Sequence, residues 1–255
     1  MTKIFDTHAH YNDSRYANPK ELFESMAKSV AGVINCGTNY ETSRQCIDIA
    51  KTFKGFCYAA CGVHPEELEE HIDEQLLLDL LSRDECVAVG EIGLDYYYTT
   101  DNKQKQKDWF DYQLSLAERL DLPVIIHDRE AHADTLDILK CHNAKGVLHC
   151  FSGSAEMAKE VLKMGFYIGI GGVVTFKNAK KTIEVVKNLP IDRLLLETDA
   201  PYLAPEPMRG KTNRSDYIIY VAEKIAAVKG IETEAVLKAS LQNASNLFGI
   251  KILDR

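Results

Sequence analysis

Near the start of the chain, Phe5-Asp6-Thr7-His8-Ala9-His10 sets two imidazoles two residues apart. In a strand, residues i and i+2 share a face, so His8 and His10 would aim at one point. A histidine pair spaced by a small residue serves a metal ion better than a hydrophobic core. Other polar groups close apolar runs further on. His64 lies in Gly62-Val63-His64-Pro65, Glu91 follows a run ending at Gly90, and His127 and His149 each end a run. Asp199 ends Glu197-Thr198-Asp199. Five of the eight histidines stand at such ends, and only His71, His132 and His142 do not. Random placement would scatter them over helices and loops.

Each member has a plain structural role open to it. His127 or His149 alone is a hydrogen-bonded core histidine, and Glu91 alone a helix cap or an arginine's partner. Asp199 before Ala200-Pro201 is a turn former. Taken jointly, His8, His10, His127, His149, Glu91 and Asp199 would lack partners if buried together, and a metal centre satisfies them all. Six ligands exceed one zinc ion but suit two ions sharing a carboxylate, as in hydrolytic sites with metals roughly 3.5–4 Å apart. Glu91 is the natural bridge, since it ends a middle strand with histidines on both sides. The donor set suits zinc, manganese or cobalt and tolerates magnesium.

Eight short, mostly continuous apolar runs supply these ends: 3–5, 32–36, 56–61, 86–91, 123–127, 146–150, 166–170 and 193–199. Continuous apolarity is the mark of strands buried on both faces. Amphipathic segments over 20–29, 42–53, 74–82, 104–120, 131–141, 155–164 and 180–187 alternate with them. Two closing helices follow between 215 and 247, with a helix stop at Asn246-Leu247-Phe248-Gly249. The alternation predicts an α/β fold, a (β/α)8 TIM-type barrel over 1–255 as one metal-dependent hydrolase domain. An open doubly wound sheet is the other candidate, but no G-x-G-x-x-G follows the first strand. In a barrel, active sites form at the carboxyl ends of the strands, where the polar residues fall.

Composition narrows the setting. No run approaches the roughly 18 apolar residues of a membrane helix. The chain passes from Met1-Thr2-Lys3 directly into its first strand, so no signal peptide is expected. Seven cysteines without CxxC pairs read as reduced thiols, and Cys57 and Cys61 as core packing. These features predict a cytoplasmic protein with no membrane association and no obligate protein partner. A net charge of -8 argues against a broad basic face for nucleic acid. Bound metals and the local cations Arg129, Lys177, Lys180, Lys181, Arg209, Lys211 and Arg214 would still give the predicted mouth a positive field. Tyr96, Tyr97, Tyr98, Phe151, Phe176 and Tyr202 are candidate stacking faces for unpaired bases.

Seven motifs in one order extend the argument. They are Asp6-Thr7-His8-Ala9-His10, Gly62-Val63-His64-Pro65, Gly90-Glu91-Ile92-Gly93-Leu94-Asp95-Tyr96 and Leu122-Pro123-Val124-Ile125-Ile126-His127. His149-Cys150-Phe151-Ser152-Gly153, Glu197-Thr198-Asp199-Ala200-Pro201-Tyr202-Leu203 and Arg209-Gly210-Lys211-x-Asn213 complete them. Over its whole length the chain resembles the TatD family of metal-dependent deoxyribonucleases, within the amidohydrolase superfamily. The resemblance implies a TIM-type barrel, two divalent metals and phosphodiester hydrolysis, typically 3′–5′ exonucleolytic on single-stranded DNA or 3′ ends. It implies that His8, His10 and Asp199 hold one metal, that His127 and His149 hold the second, and that Glu91 bridges. It places His64, Arg129 and Asn213 against the phosphate. Where the family continues with Glu-Pro or a similar pair, Arg214-Ser215-Asp216 stands here, which should loosen that loop and add a cation.

The expected reaction is in-line attack of a metal-bound hydroxide on a phosphodiester, with Asp199 as general base and Glu91 beside it. His64 would hydrogen-bond a phosphate oxygen and Arg129 add a fork of donors. A structural salt bridge from Arg129 to Asp128 or Glu130 is the competing role for that residue. The alternative activity is a metal-dependent ester or amide hydrolase, such as an aminoacyl-tRNA deacylase. A metal-binding protein without turnover is disfavoured by so complete a ligand set.

Overall fold

Strands apolar at every position must be covered on both faces, and a closed parallel barrel ringed by helices does this. The computed structural model describes residues 2–16, 18–68 and 71–251. Its strands are β1 (Ile4–Ala9), β2 (Val30–Cys36), β3 (Cys57–Cys61), β4 (Cys86–Asp95), β5 (Val124–Arg129), β6 (Gly146–Leu148), β7 (Tyr167–Ile170) and β8 (Leu194–Leu196). The helices are α1 (Pro19–Met26), α2 (Tyr40–Thr52), α3 (Glu74–Leu81), α4 (Lys103–Leu120), α5 (His132–Leu139), α6 (Ala155–Lys163) and α7 (Lys180–Asn188). Two more, α8 (Ile218–Lys229) and α9 (Thr233–Phe248), close the chain.

The strands pair in chain order from β1 to β8, parallel throughout. The ring closes where the loop after β8 meets β1. The Asp199 amide donates to the His8 carbonyl at 3.0 Å, and the His10 amide to the Ala200 carbonyl at 2.7 Å. Buried Asp6 locks this seam. It accepts from the Thr198 amide and hydroxyl at 3.0 and 2.6 Å and from the Ser215 hydroxyl at 2.7 Å.

Strand alternation divides the core in two. Ile34, Ala60, Ile125, Val147 and Leu195 turn inward with Phe5, and Ala244, Leu247 and Phe248 of α9 plug them. Val33, Ala59, Val124, Ile126 and Leu148 turn outward and pack under the helices. The period of two then carries the inward face forward to His64, His127, His149, Glu197 and Asp199. β1 and β4 need a correction of phase, and each has one. Register shifts fall between Asp6 and Ala9 and between Val89 and Ile92. Such irregularities re-aim side chains beside active sites. Here they bring His8, His10 and Glu91 onto the inward set.

The elements follow the sequence expectation with shifted ends. α1 stops at Met26, short of 29, because the Ser29 carbonyl accepts the Ile4 amide that opens β1. β4 runs four residues past Glu91, with Asp95 paired opposite Arg129 of β5. β6 and β8 stop at Leu148 and Leu196, leaving His149 and Asp199 on the loops beyond. Gly93 lies at φ 142, and a Cβ there would run into the His127 carbonyl oxygen, so β4 approaches β5 only as glycine. α9 ends at Phe248 with Gly249 at φ 64, the stop expected from the sequence. Among the described residues, no helix is long and apolar enough to cross a membrane.

Candidate metal centre

The two oxygens of Glu91 divide the histidines between them. Oε2 lies 3.4 Å from His8 Nε2 and 3.5 Å from His10 Nε2. Oε1 lies 3.0 Å from His127 Nδ1 and 2.7 Å from His149 Nε2. Asp199 Oδ1 joins the first group, 3.7 Å from His8 and 3.5 Å from His10. Its backbone sits in the left-handed region at φ 58, which aspartate tolerates better than most residues. Thus the six side chains expected as ligands converge at the carboxyl end of the barrel. Five of them, all but the fully buried His8, line a cavity of about 660 Å3.

The outward nitrogens decide what the inward ones offer. His10 Nδ1 donates to the Cys36 carbonyl at 2.8 Å, and His127 Nε2 donates to Asp95 Oδ2 at 2.9 Å. Carbonyls and carboxylates only accept, so each ring, once neutral, turns a lone pair toward the cavity. His8 Nε2 and His10 Nε2 stand 3.1 Å apart, and His127 Nδ1 and His149 Nε2 3.3 Å apart. Nitrogens this close need a proton or a metal cation between them. The donor set fits divalent metal: His8 with His10 and Glu91, His8 with His149 and Asp199, and His64 with Glu91 and His127 each bring ligand atoms within 4.8 Å of one another.

His64 faces the same cavity with the opposite character. The Glu66 amide donates to its Nδ1 at 3.2 Å, so its proton rides on Nε2, 3.6 Å from Glu91 Oε1. It is therefore a donor to incoming groups. Burial, reinforced by facing His127, pushes its pKa down to about 3 and keeps it neutral. Burial and His149 likewise push His8 down to about 4. Desolvation acts the same way on His10 and His127, but their carboxylate partners outweigh it and raise them to about 9 and about 10 for the polypeptide alone. Burial alone would raise Glu91 and Asp199. The surrounding histidines outweigh it and hold both carboxyls below their usual range, Glu91 strongly so.

Arg129 stands at the cavity wall, and its expected partner Asp128 is engaged by His132 at 2.6 Å and Thr135 at 3.1 Å. Among the described residues Arg129 has no carboxylate salt bridge, and its guanidinium lies 3.8 Å over the Tyr97 ring. Asn213 departs from its expected place. It is wholly buried, its Nδ2 donates to the Thr198 and Tyr202 carbonyls, and its Oδ1 accepts from the Arg214 amide. With each of these polar atoms spent inside the protein, it fixes the loop after β8 and offers nothing to a phosphate. The loop expected to be loosened at Arg214-Ser215-Asp216 is instead pinned. Ser215 bonds Asp6 and Tyr11, and Arg214 pairs with Asp216 at 2.6 Å, so no cation is freed.

Three supporting acids escaped the sequence reading: Asp6 at the seam, Asp95 behind His127, and Glu197. Glu197 accepts from the Cys150 amide, and its Oε1 lies 4.0 Å from His149 Nδ1, which has no hydrogen-bond partner among the described residues. Burial pushes its carboxyl up to about 8. A Cβ at Gly169 would collide with this carboxylate, so glycine makes the room. Their signal was parity. Asp95 lies two alternations past Glu91 on β4, and Glu197 one alternation before Asp199 on the loop after β8.

A family described as TatD related DNase matches residues 5–249. Over 97% of this chain and 99% of its own length, the metal-dependent hydrolase YabD of Bacillus subtilis (strain 168) is 43% identical. A protein of Pantoea vagans (strain C9-1) named 3′-5′ ssDNA/RNA exonuclease TatD is 34% identical over 96% of this chain and 99% of its own. The crystal structure of YjjV, a TatD homologue from Escherichia coli K12, superposes with a TM-score of 0.88 at 33% identity, covering 97% of this chain and 98% of that one.

Proposed function

The chain belongs to the TatD-related family of metal-dependent hydrolases, and from that premise we propose that it hydrolyses phosphodiester bonds at the 3′ ends of single-stranded DNA. The observation that carries the reading is Glu91, whose Oε1 and Oε2 face separate histidine pairs at 2.7–3.5 Å. Two divalent ions fit that division, one held by His8, His10 and Asp199 and one by His127 and His149, with Glu91 common to both. Bound there, they supply Lewis acidity to the phosphate and to the attacking water. The relative from Pantoea, named an exonuclease on single-stranded DNA and RNA, supports the substrate class.

The side chains divide the remaining work. Asp199 stays ionised and turns Oδ1 to His8 and His10, leaving Oδ2 to take the proton from the attacking water. His64 donates its Nε2 proton to a phosphate oxygen, and its depressed pKa keeps that donor role across neutral pH. Arg129 adds a charge-assisted donor at the rim. Cytoplasmic placement follows the composition and belongs to the same proposal.

A 3′-labelled single-stranded DNA tests it. Chelation should abolish cleavage, and manganese, magnesium, cobalt or zinc should restore it. Glu91→Gln should lower kcat by on the order of 10³, without rescue at the metal dose that saturates the parent. Full activity of that variant would sink the shared-carboxylate account. Faster turnover of aminoacyl-tRNA or a lactone in parallel assays would move the substrate class to carboxyl esters.

A further inference from the structure

Six aromatic residues near the mouth were candidates for stacking, and the structure separates them. The Tyr96 hydroxyl is tied to Asp134 at 2.8 Å, Phe151 is buried, and Phe176 is only partly exposed. Tyr97, Tyr98 and Tyr202 remain, with 54%, 65% and 49% of their surface exposed. Tyr98 and Tyr202 both line the cavity that holds the metal ligands.

Their positions in the barrel are related. Tyr98 follows β4 and Tyr202 follows β8, four strands apart in a ring of eight and therefore on opposite walls. Each carries an arginine from the next strand round. Arg129, at the end of β5, lies 3.8 Å from the Tyr97 centroid and 4.9 Å from that of Tyr98. Arg15, after β1, lies 4.3 Å from the Tyr202 centroid and is held flat by a two-pronged bond to Asp13 at 2.8 and 2.7 Å. Each platform is also bonded through its backbone to an acid of the site. The Tyr97 amide donates to Asp95 Oδ1 at 2.8 Å, and the Tyr202 amide to the Asp199 carbonyl at 2.8 Å.

We propose that Tyr98 with Arg129, and Tyr202 with Arg15, are two stacking platforms that grip unpaired nucleobases on either side of the metal cavity. A phosphodiester in the cavity carries one nucleoside on each side, and opposite walls give each base its own ring. Arg129, without a carboxylate partner among the described residues, supplies the cation for the phosphate between them. The grip demands two consecutive unpaired nucleotides, so the preferred ligand is a single-stranded end and a fully paired end is rejected. The inference rests on the nucleic-acid reading above and specifies how that site selects.

Binding of the full chain as purified to phosphorothioate-linked oligonucleotides, followed by fluorescence anisotropy, tests this without turnover. Aromatic–base stacking is worth about 1–3 kcal/mol per base, so Tyr98→Ala and Tyr202→Ala should each weaken single-strand binding about 5- to 150-fold. Tyr98→Phe and Tyr202→Phe should keep it, since the ring is what acts. An oligonucleotide with two abasic residues at its 3′ end should bind the parent as weakly as the Tyr98→Ala, Tyr202→Ala double variant binds the intact strand, and lose nothing further with either substitution. Unchanged affinity in both alanine variants, equal affinity for a blunt duplex, or an equal loss on the abasic strand would overturn the clamp. A parent that binds no oligonucleotide at all would sink the nucleic-acid reading together with it.

Discussion

Asp95 shows how a residue off the cavity floor governs one on it. Its Oδ2 fixes the His127 Nε2 proton, and so compels Nδ1 to face Glu91. Partners of this kind typically matter 10- to 100-fold in metal affinity. We expect Asp95→Asn to weaken metal binding by about that factor, measured by competition with a chelator, while the fold persists. Unchanged affinity would mean that packing alone orients the ring. The candidate metal ligands stand out in the sequence because each ends an apolar run. Asp95 stands in one of the motifs yet shows no role there, because its role depends on β4 running on beside β5. Asn213 was misplaced for the converse reason. Its motif marks a loop, and nothing in a linear pattern distinguishes an amide that meets substrate from one buried among carbonyls.

At the scale of elements, the eightfold alternation was legible because parallel strands covered on both faces cannot hide their apolarity. Which face each residue takes was not, since the register shifts in β1 and β4 reverse the parity on which such a reading depends. The seam between β8 and β1 was equally hidden. It rests on Asp6, wholly buried, whose carboxyl burial pushes up to about 6 although two hydroxyls and two amides donate to it. Removing the acceptor strands those donors. Asp6→Ala should therefore destabilise the protein by on the order of 3 kcal/mol in urea unfolding, against about 1–3 for a single buried unpaired group. Because Asp199 follows Thr198 directly, the same variant should weaken metal binding. A loss of affinity with no loss of stability would show that Asp6 acts on the site and not on ring closure.

For the whole molecule, the site couples protons, metal and stability. In the polypeptide alone, partner carboxylates raise His10 to about 9 and His127 to about 10, and burial raises Glu197 to about 8. Above pH 6.5 the unfolded chain has released these protons while the folded chain still holds them. Stability then falls as pH rises, by at most about 1.4 kcal/mol per pH unit for each group. The Glu197 contribution ends near pH 8 and the histidine contributions near pH 9 and 10. Metal should reverse the slope, because the candidate histidines would ligate only when deprotonated and bound metal would stabilise the native state by mass action. Thermal unfolding of chelated and metal-loaded protein between pH 6.5 and 9 should give curves that diverge, the chelated Tm dropping and the gap widening. Titration calorimetry near pH 7, in two buffers of different ionisation enthalpy, should register proton release on metal binding. Parallel curves with no proton release would mean that His10 and His127 are already neutral before metal arrives, and that their carboxylate partners orient the rings without charging them.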